Sequence, residues 1–230
     1  MTTDVPVPVP LPRACLVLDF DGTILDTEEA LFRSWAELWD EHGHRLDRAD
    51  WQRNIGGGDA PFDPWSELES RVARPLDPAL HERRRLRRDE IQALEPVHPG
   101  VLDWLNQAAA LGLPVGVASS SPHQWVHGQL ELLGIRPRFA TLVCRSDEVP
   151  AKPAPISYRV ACARLEADPA RSVAVEDSPR GVAAAVSAGL YTVAVPHPLT
   201  QDLDLSAAHL QVESLVEVSL ADVLVSALSR

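Results

Sequence analysis

The chain has 230 residues, of which 45% are hydrophobic and 23% charged, and its net charge is −12. That length can bury a full core. The acidic balance excludes a general nucleic-acid binder, which needs a basic surface, and disfavours an anionic membrane as partner.

Taken in chain order, the opening MTTDVPVPVPLPR lacks the basic region and continuous apolar stretch of a signal peptide. Its alternating Val-Pro predicts a disordered, Pro-rich leader over 1–13. No apolar run approaches the ~20 residues that span a bilayer. Three cysteines, Cys15, Cys144 and Cys162, have no CxxC pairing and read as reduced core thiols of a cytoplasmic protein.

The first strand is expected over 15–20, where an apolar run ends in Asp19-Phe20-Asp21-Gly22-Thr23. Side chains at i and i+2 of an extended segment point the same way, so Asp19 and Asp21 bring like charges together. That costs energy unless something positive sits between them. Residues 28–95 then break the strand rhythm; they hold Trp35, Trp39, Trp51 and Trp65 and predict several amphipathic helices. Within them, HERRRLRRDE over 81–90 reads as a solvated helix face, because Glu82, Asp89 and Glu90 interleave with its arginines, with Leu86 and Ile91 turned inward.

Further buried strands are expected over 114–118, 141–143, 172–175 and 191–195, separated by helical segments such as 123–133 and 156–165, with a final helix near 219–228. Strands alternating with helices imply parallel crossovers. The expected fold is α/β: a three-layer, Rossmann-like core over 14–27 and 96–230 with a parallel five-stranded sheet, and an inserted small helical cap domain over 28–95, above the strand ends where ligands bind.

Four strand ends carry chemistry. The first presents Asp19 and Asp21. The second ends in Ser119-Ser120-Ser121, a hydroxyl run that opens a helix and suits an anion. AKPAP holds Lys152, the chain's only lysine, between residues that stiffen its loop, and VAVEDSPRG ends the fourth strand in Glu176 and Asp177. Carboxylates clustered without His or Cys suit a hard cation such as Mg²⁺, and Lys152 with the serines then completes a site for a phosphoryl group.

The segments DFDGTILDTE, SSS, KPAP and VEDSPRG resemble, in order, the four motifs of the haloacid dehalogenase-like hydrolase superfamily, from Cys15 to about Val195. The insertion point is similar to that of the branch with a helical cap, which includes phosphoglycolate phosphatases, sugar-phosphate phosphatases and β-phosphoglucomutases. The resemblance implies that Asp19 is the nucleophile and Asp21 the general acid and base. It implies Mg²⁺ held by Asp19, the main-chain carbonyl of Asp21 and Asp177, with Glu176 close by, and phosphoryl oxygens held by Ser119, Ser120 and Lys152. Thr23 would support the loop through its hydroxyl.

Departures from the family pattern sharpen this reading. Ile156 stands where many relatives carry an Asp that steadies the lysine loop, with Ser157 a poor substitute. Leu31 replaces the histidine of the β-phosphoglucomutases, and the loop NIGGGDAP lacks their arginine, although Arg53 lies just before it. An acid at position 21 points away from dehalogenation, and a lone lysine closes the imine route of the phosphonate-cleaving relatives. Arg53, Asn54 and Gly57 are the candidates for substrate choice in the cap; Trp51 reads as packing and His98 as a loop residue at the cap return. The resemblance thus implies an Mg²⁺-dependent phosphatase acting on a small phosphorylated metabolite, a sugar phosphate or phosphoglycolate-like compound. The alternatives are a phosphosugar mutase and a catalytically idle phosphate-ligand module. A cytoplasmic monomer or weak dimer is expected, with no nucleic-acid or membrane partner.

Overall fold

A computed structural model describes residues 13–56 and 62–229; residues 1–12 of the expected Pro-rich leader and Gly57 lie outside the described residues, while Arg13, the leader's expected last residue, bridges Ala167 and its carbonyl accepts from Asp168 N–H at 2.8 Å. In chain order the elements are β1 (Leu16–Leu18), α1 (Thr27–Glu41), α2 (Arg48–Gly56), α3 (Pro64–Val72), α4 (Ala79–Gln92), α5 (Val101–Ala110), β2 (Val115–Pro122), α6 (His123–Leu132), β3 (Thr141–Arg145), α7 (Ile156–Arg164), β4 (Val173–Glu176), α8 (Pro179–Ala188), β5 (Tyr191–Ala194), β6 (Leu210–Gln211) and α9 (Leu220–Leu228).

Alternation along the strands decides the layering, because successive side chains of an extended chain face opposite ways. Leu16, Leu18 and Phe20 enter one apolar cluster, and Cys15 and Val17 the other. The same sorting puts Val117, Leu142 and Val175 on the first face, and Ala118, Val143 and Ala174 on the second. A parallel sheet buried on both faces needs helices on both. Trp104, Leu105, Leu130 and Val223, from α5, α6 and α9, cover the first face. Tyr158, Ala161, Ala184 and Ala185 from α7 and α8 cover the second, where small residues let the helices lie close.

The strand order is β3-β2-β1-β4-β5-β6, all parallel, with Leu16 paired to Val115 on one side and Val173 on the other. The sheet therefore has six strands among the described residues, not the five expected. The extra one, β6, pairs Leu210 with Val193 and is two residues long, too short to carry a readable period. The connections run opposite ways from β1, which opens a crevice at the carboxyl ends of β1 and β4.

Helices α1 to α4 pack around their own cluster of Phe32, Trp35, Leu38, Trp39, Trp51 and Leu68, joined by Leu199 from beyond β5. The chain leaves and re-enters the sheet side by side: Leu25 bridges Val97, and His98 N–H donates to the Ile24 carbonyl at 2.9 Å. On α4 the inward stripe is Leu80, Arg84, Arg88 and Ile91, spaced by three or four residues as one helix face requires. Leu86 falls on the opposite side and is 51% exposed, which corrects its expected inward position. Arg84 and Arg88 also depart from the solvated face: their guanidinium groups lie 4.5 Å over the Trp35 ring and 5.1 Å over the Trp125 ring. The cysteines are free and buried, and no described helix is long and apolar enough to cross a membrane.

Trp39 is fully buried and its Nε1 donates to the Pro64 carbonyl at 3.1 Å. Trp39→Ala should cost about 3–5 kcal/mol in urea unfolding. Leu86→Gln on the exposed side should stay within ~0.5 kcal/mol of the parent.

Candidate active site

The strand alternation that layers the fold also delivers the acids. Asp19 continues the Cys15–Val17 face and Glu176 the Ala174 face, so both turn toward α7 and α8, where the loop before α7 carries Lys152. Lys152 Nζ lies 2.6 Å from Asp19 Oδ1 and 2.6 Å from Glu176 Oε1. The Tyr158 hydroxyl donates to the same Glu176 oxygen at 2.5 Å. Burial opposes the charge on Lys152, but Asp19 and Glu176 outweigh it and hold the ammonium above its ordinary pKa. Burial pushes Asp19 well above the carboxylate range; Lys152 pulls it back, and Glu176, Asp177 and Asp21 push it up again.

The lysine loop is fixed without the missing acid at position 156. Helix α7 has no side-chain cap, and the Ser157 hydroxyl is buried without a partner, so Ser157 does not substitute. Arg180 instead donates from Nε and Nη2 to the Lys152 carbonyl at 3.0 and 2.6 Å, and Lys152 N–H donates to Ser120 Oγ at 3.1 Å.

Asp21 receives four donors: Thr27 Oγ1 at 2.8 Å and Trp125 Nε1 at 3.0 Å on one oxygen, Ser121 Oγ at 2.6 Å and Ser119 Oγ at 3.4 Å on the other. Three of these are hydroxyls, which can rotate and accept, so a proton on this carboxyl would not orphan its neighbours. Ser119 is buried and turned to Asp21, while Ser120 and Ser121 line the cavity.

Asp177 is held by partners other than the lysine. Thr23 Oγ1 donates to its Oδ1 at 3.4 Å, the support expected of that threonine directed to an acid, and His197 Nε2 lies 3.1 Å from its Oδ2. Burial works against charge on His197, but the hydrogen bond and charge of Asp177 lift its pKa above the ordinary value. Gly22 has φ +84°, and a Cβ there would stand 2.4 Å from Asp177 Oδ2. A Cβ on Gly181 would fall 1.8 Å from Glu176 Oε2. Both glycines are needed for the carboxylates to occupy their places.

Asp19, Glu176 and Asp177 each bring a carboxylate oxygen within 4.8 Å of the others. The donors are hard oxygens, Glu176 Oε2 is buried without a partner, and the one buried ammonium contacts only Asp19 and Glu176 of these acids. This donor set fits a divalent cation of the Mg²⁺ type.

A cavity of about 610 Å³ opens over these groups, with Asp19, Asp21, Ser120, Lys152 and Asp177 at its floor. Glu28, Leu31, Trp51, Asn54, Arg88 and Trp125 form its walls. Asn54 thus reaches the cavity, with Oδ1 accepting from Phe62 N–H at 2.8 Å, and Trp51 both packs edge-on against Phe32 and lines it. Arg53 does not line the cavity: its half-exposed side chain lies 3.8 Å from Asp50. The cationic wall residue from the helical unit is Arg88.

Sequence reasoning missed Tyr158, Ser121, Trp125, Glu28, Arg88 and His197. Ser121 closes the recognised serine motif and Trp125 lies just beyond it, so both carried a signal; Tyr158, Arg88 and His197 meet the site only through tertiary packing. Burial pushes Glu28 up to about 7, with Asp21 and Asp177 adding to the shift.

Comparison with known proteins gives a consistent picture. The sequence profile of the family described as haloacid dehalogenase-like hydrolase matches residues 14–189. The chain is 37% identical over 207 residues to YhcW of Bacillus subtilis, covering 90% of this chain and 94% of that protein. It is 27% identical over 203 residues to the validoxylamine A 7'-phosphate phosphatase of Streptomyces hygroscopicus subsp. limoneus, covering 88% and 94%. Among solved structures, CbbY from Rhodobacter sphaeroides in complex with phosphate is similar at a TM-score of 0.70 and 25% identity, over 92% of this chain and 99% of that one.

Two outcomes follow from the site. Gly22→Ala should cost about 1–3 kcal/mol in denaturant titration, from its left-handed backbone and its clash with Asp177. The raised carboxyls set the second. Glu28 titrates at about 7 folded against 4.5 ordinarily, so the folded state holds a proton that the unfolded chain releases within that window. Stability is gained as pH falls through about 7 and lost as it rises. In chelator, the melting temperature should climb between about pH 8 and 5.5, and Glu28→Gln should raise it at the alkaline end and flatten the slope.

Proposed function

The chain belongs to the haloacid dehalogenase-like hydrolase family, and on that premise we propose that it is an Mg²⁺-dependent phosphatase that hydrolyses a small phosphorylated metabolite through an aspartyl-phosphate on Asp19. The observation that carries this reading is the buried Lys152, ion-paired to Asp19 and Glu176, at a cavity floor that also presents Asp21 and Asp177. Carboxylates alone repel a phosphate dianion. An ammonium fixed among them, with the Ser120 hydroxyl beside it, supplies a cradle for phosphoryl oxygens.

The steps follow from the side chains. Lys152 occupies Asp19 Oδ1, which leaves Oδ2 to attack phosphorus in line, forming the new P–O bond as the bond to the leaving alkoxide breaks. Asp21 gives its proton to that alkoxide. It then takes one from the water that attacks phosphorus, the bond to Asp19 breaks, and inorganic phosphate leaves. Hydroxyls at Ser119, Ser121 and Thr27 follow the proton by turning. Mg²⁺ would be held by Asp19, the Asp21 main-chain carbonyl and Asp177, and supplies neutralisation of the charge on the phosphoryl oxygens. Glu176 sits behind, where it orients Lys152.

Helices α1 to α4, over 28–95, act as the cap on a catalytic core over 14–27 and 96–230. Closing it excludes water from the phosphoryl group. The cavity of about 610 Å³ is roomy for a two-carbon acid, and its walls set Glu28 and Asn54 among Leu31, Trp51 and Trp125. Polar acceptors beside flat aromatic surfaces suit a sugar phosphate better than a phosphoglycolate-like compound. The relative that hydrolyses validoxylamine A 7'-phosphate by name supports a phosphorylated small molecule.

A phosphosugar mutase is the second reading, and Arg88 favours it, because an arginine on the helical wall supplies the grip on a second phosphate that the loop near Arg53 lacks. Supplying a phosphosugar with its bisphosphate primer separates the two: isomer without phosphate release marks the mutase.

Purified protein with Mg²⁺ should release phosphate from p-nitrophenyl phosphate and from members of a sugar-phosphate panel. Asp19→Asn should lower the rate by at least about 10³-fold, and chelation should abolish it reversibly. Full turnover by Asp19→Asn would end the assignment.

A further inference from the structure

The segment that follows β5 has a job at the site that its position in the sequence does not reveal. His197 is 5% exposed, and its Nε2 lies 3.1 Å from Asp177 Oδ2. On its other side, Nδ1 accepts from the Leu199 N–H at 3.4 Å, which makes Nε2 the protonated nitrogen and the donor to the carboxylate. The ring has no freedom to leave. His197 N–H donates to Thr200 Oγ1 at 3.0 Å, and the N–H groups of Thr200 and Gln201 donate to the His197 carbonyl at 2.8 and 2.9 Å. Across from it, the bare Cα of Gly22 leaves the space; a Cβ there would come within 3.1 Å of His197 Nε2 as well as striking Asp177.

The same turn is anchored at its far end. Leu199 is fully buried in the cluster of the helical unit, and Gln52 Nε2 on α2 donates to its carbonyl at 3.0 Å. The turn is therefore braced against α2 while it grips Asp177.

We propose that His197 is a positioning residue for the divalent cation: it donates to Asp177 Oδ2 and aims the carboxylate, so that the oxygen beside Thr23 is presented to the ion. This rests on the reading of Asp177 as a cation ligand. Outer partners that orient ligating carboxylates commonly govern metal affinity by ~10–100-fold.

The test measures Mn²⁺ binding directly, by the loss of free-ion electron paramagnetic resonance signal, on the full chain. His197→Leu fills the space without a donor; His197→Gln restores an amide donor at the reach of Nε2. The leucine variant should bind Mn²⁺ at least about tenfold more weakly than the parent, and the glutamine variant within about threefold of it, with Asp177→Asn as the ligand-deleted baseline. Melting curves in chelator check that each variant is folded. Wild-type affinity in a folded leucine variant, or equal weakness in both variants, overturns the role of His197 while leaving the cation site intact. Absence of Mn²⁺ binding by the parent overturns the cation reading itself, and the proposal with it. Imidazole ¹⁵N shifts of the parent protein give a measurement that no folding defect can blur: a protonated Nε2 agrees with the proposal, and a bare Nε2 overturns it.

Discussion

Lys152 is the positive centre around which the sheet edge is built. Taking an ammonium out of water costs several kcal/mol, and only close, fully hydrogen-bonded partners recover it. Here Asp19 and Glu176 supply the charge, and Tyr158 satisfies the Glu176 oxygen that the lysine shares. Each partner comes from a different strand or helix, so the ion cluster forms only when β1, β4 and α7 are already in register. The reverse also holds: removing the lysine would leave two buried carboxylates facing each other. The cluster is thus both a chemical site and a check on assembly of the second sheet face.

Much of this could be read from residue order. Alternation gave Asp19 and Asp21 a common side of the extended segment, and the strand-end pattern of Asp19, Ser119, Lys152 and Glu176-Asp177 pointed to one crevice. The helical insertion was visible from its tryptophans and its length. What stayed hidden has physical reasons. Two residues of β6 cannot show a period. Leu86 looked buried because it is apolar, but the α4 stripe is set by the aromatic partners of Arg84 and Arg88, and stacking on a ring lets an arginine take an inward place. His197 lies twenty residues from Asp177, in a proline-flanked turn with no motif signal. The departure at Ile156 had suggested a slack lysine loop; Arg180, the second residue of α8, holds it instead, through a carbonyl that no side-chain pattern announces.

The helical unit and the sheet touch the same cavity from opposite sides, and their contacts differ in kind. Below are short, buried hydrogen bonds among charged groups. Above are broad surfaces, with Trp51, Leu31 and the Arg88–Trp125 stack, and a single amide at Asn54. Trp125 belongs to both, since its ring carries Arg88 while its Nε1 holds Asp21. A precise floor under an adaptable roof lets one reaction be kept while the molecule acted upon is changed by substitutions in α1, α2 and α4.

The basic residues of the chain are arginines with one exception, and that exception, Lys152, is 4% exposed. Guanidinium groups form ion pairs as ammonium groups do but resist acylation and imine formation at neutral pH. Reagents and enzymes that modify side-chain amines therefore find none on the surface, and the one they could reach by entering the cavity is the one that holds the ion cluster together. Coupling through side-chain amines would therefore either leave the folded protein untouched or disable it.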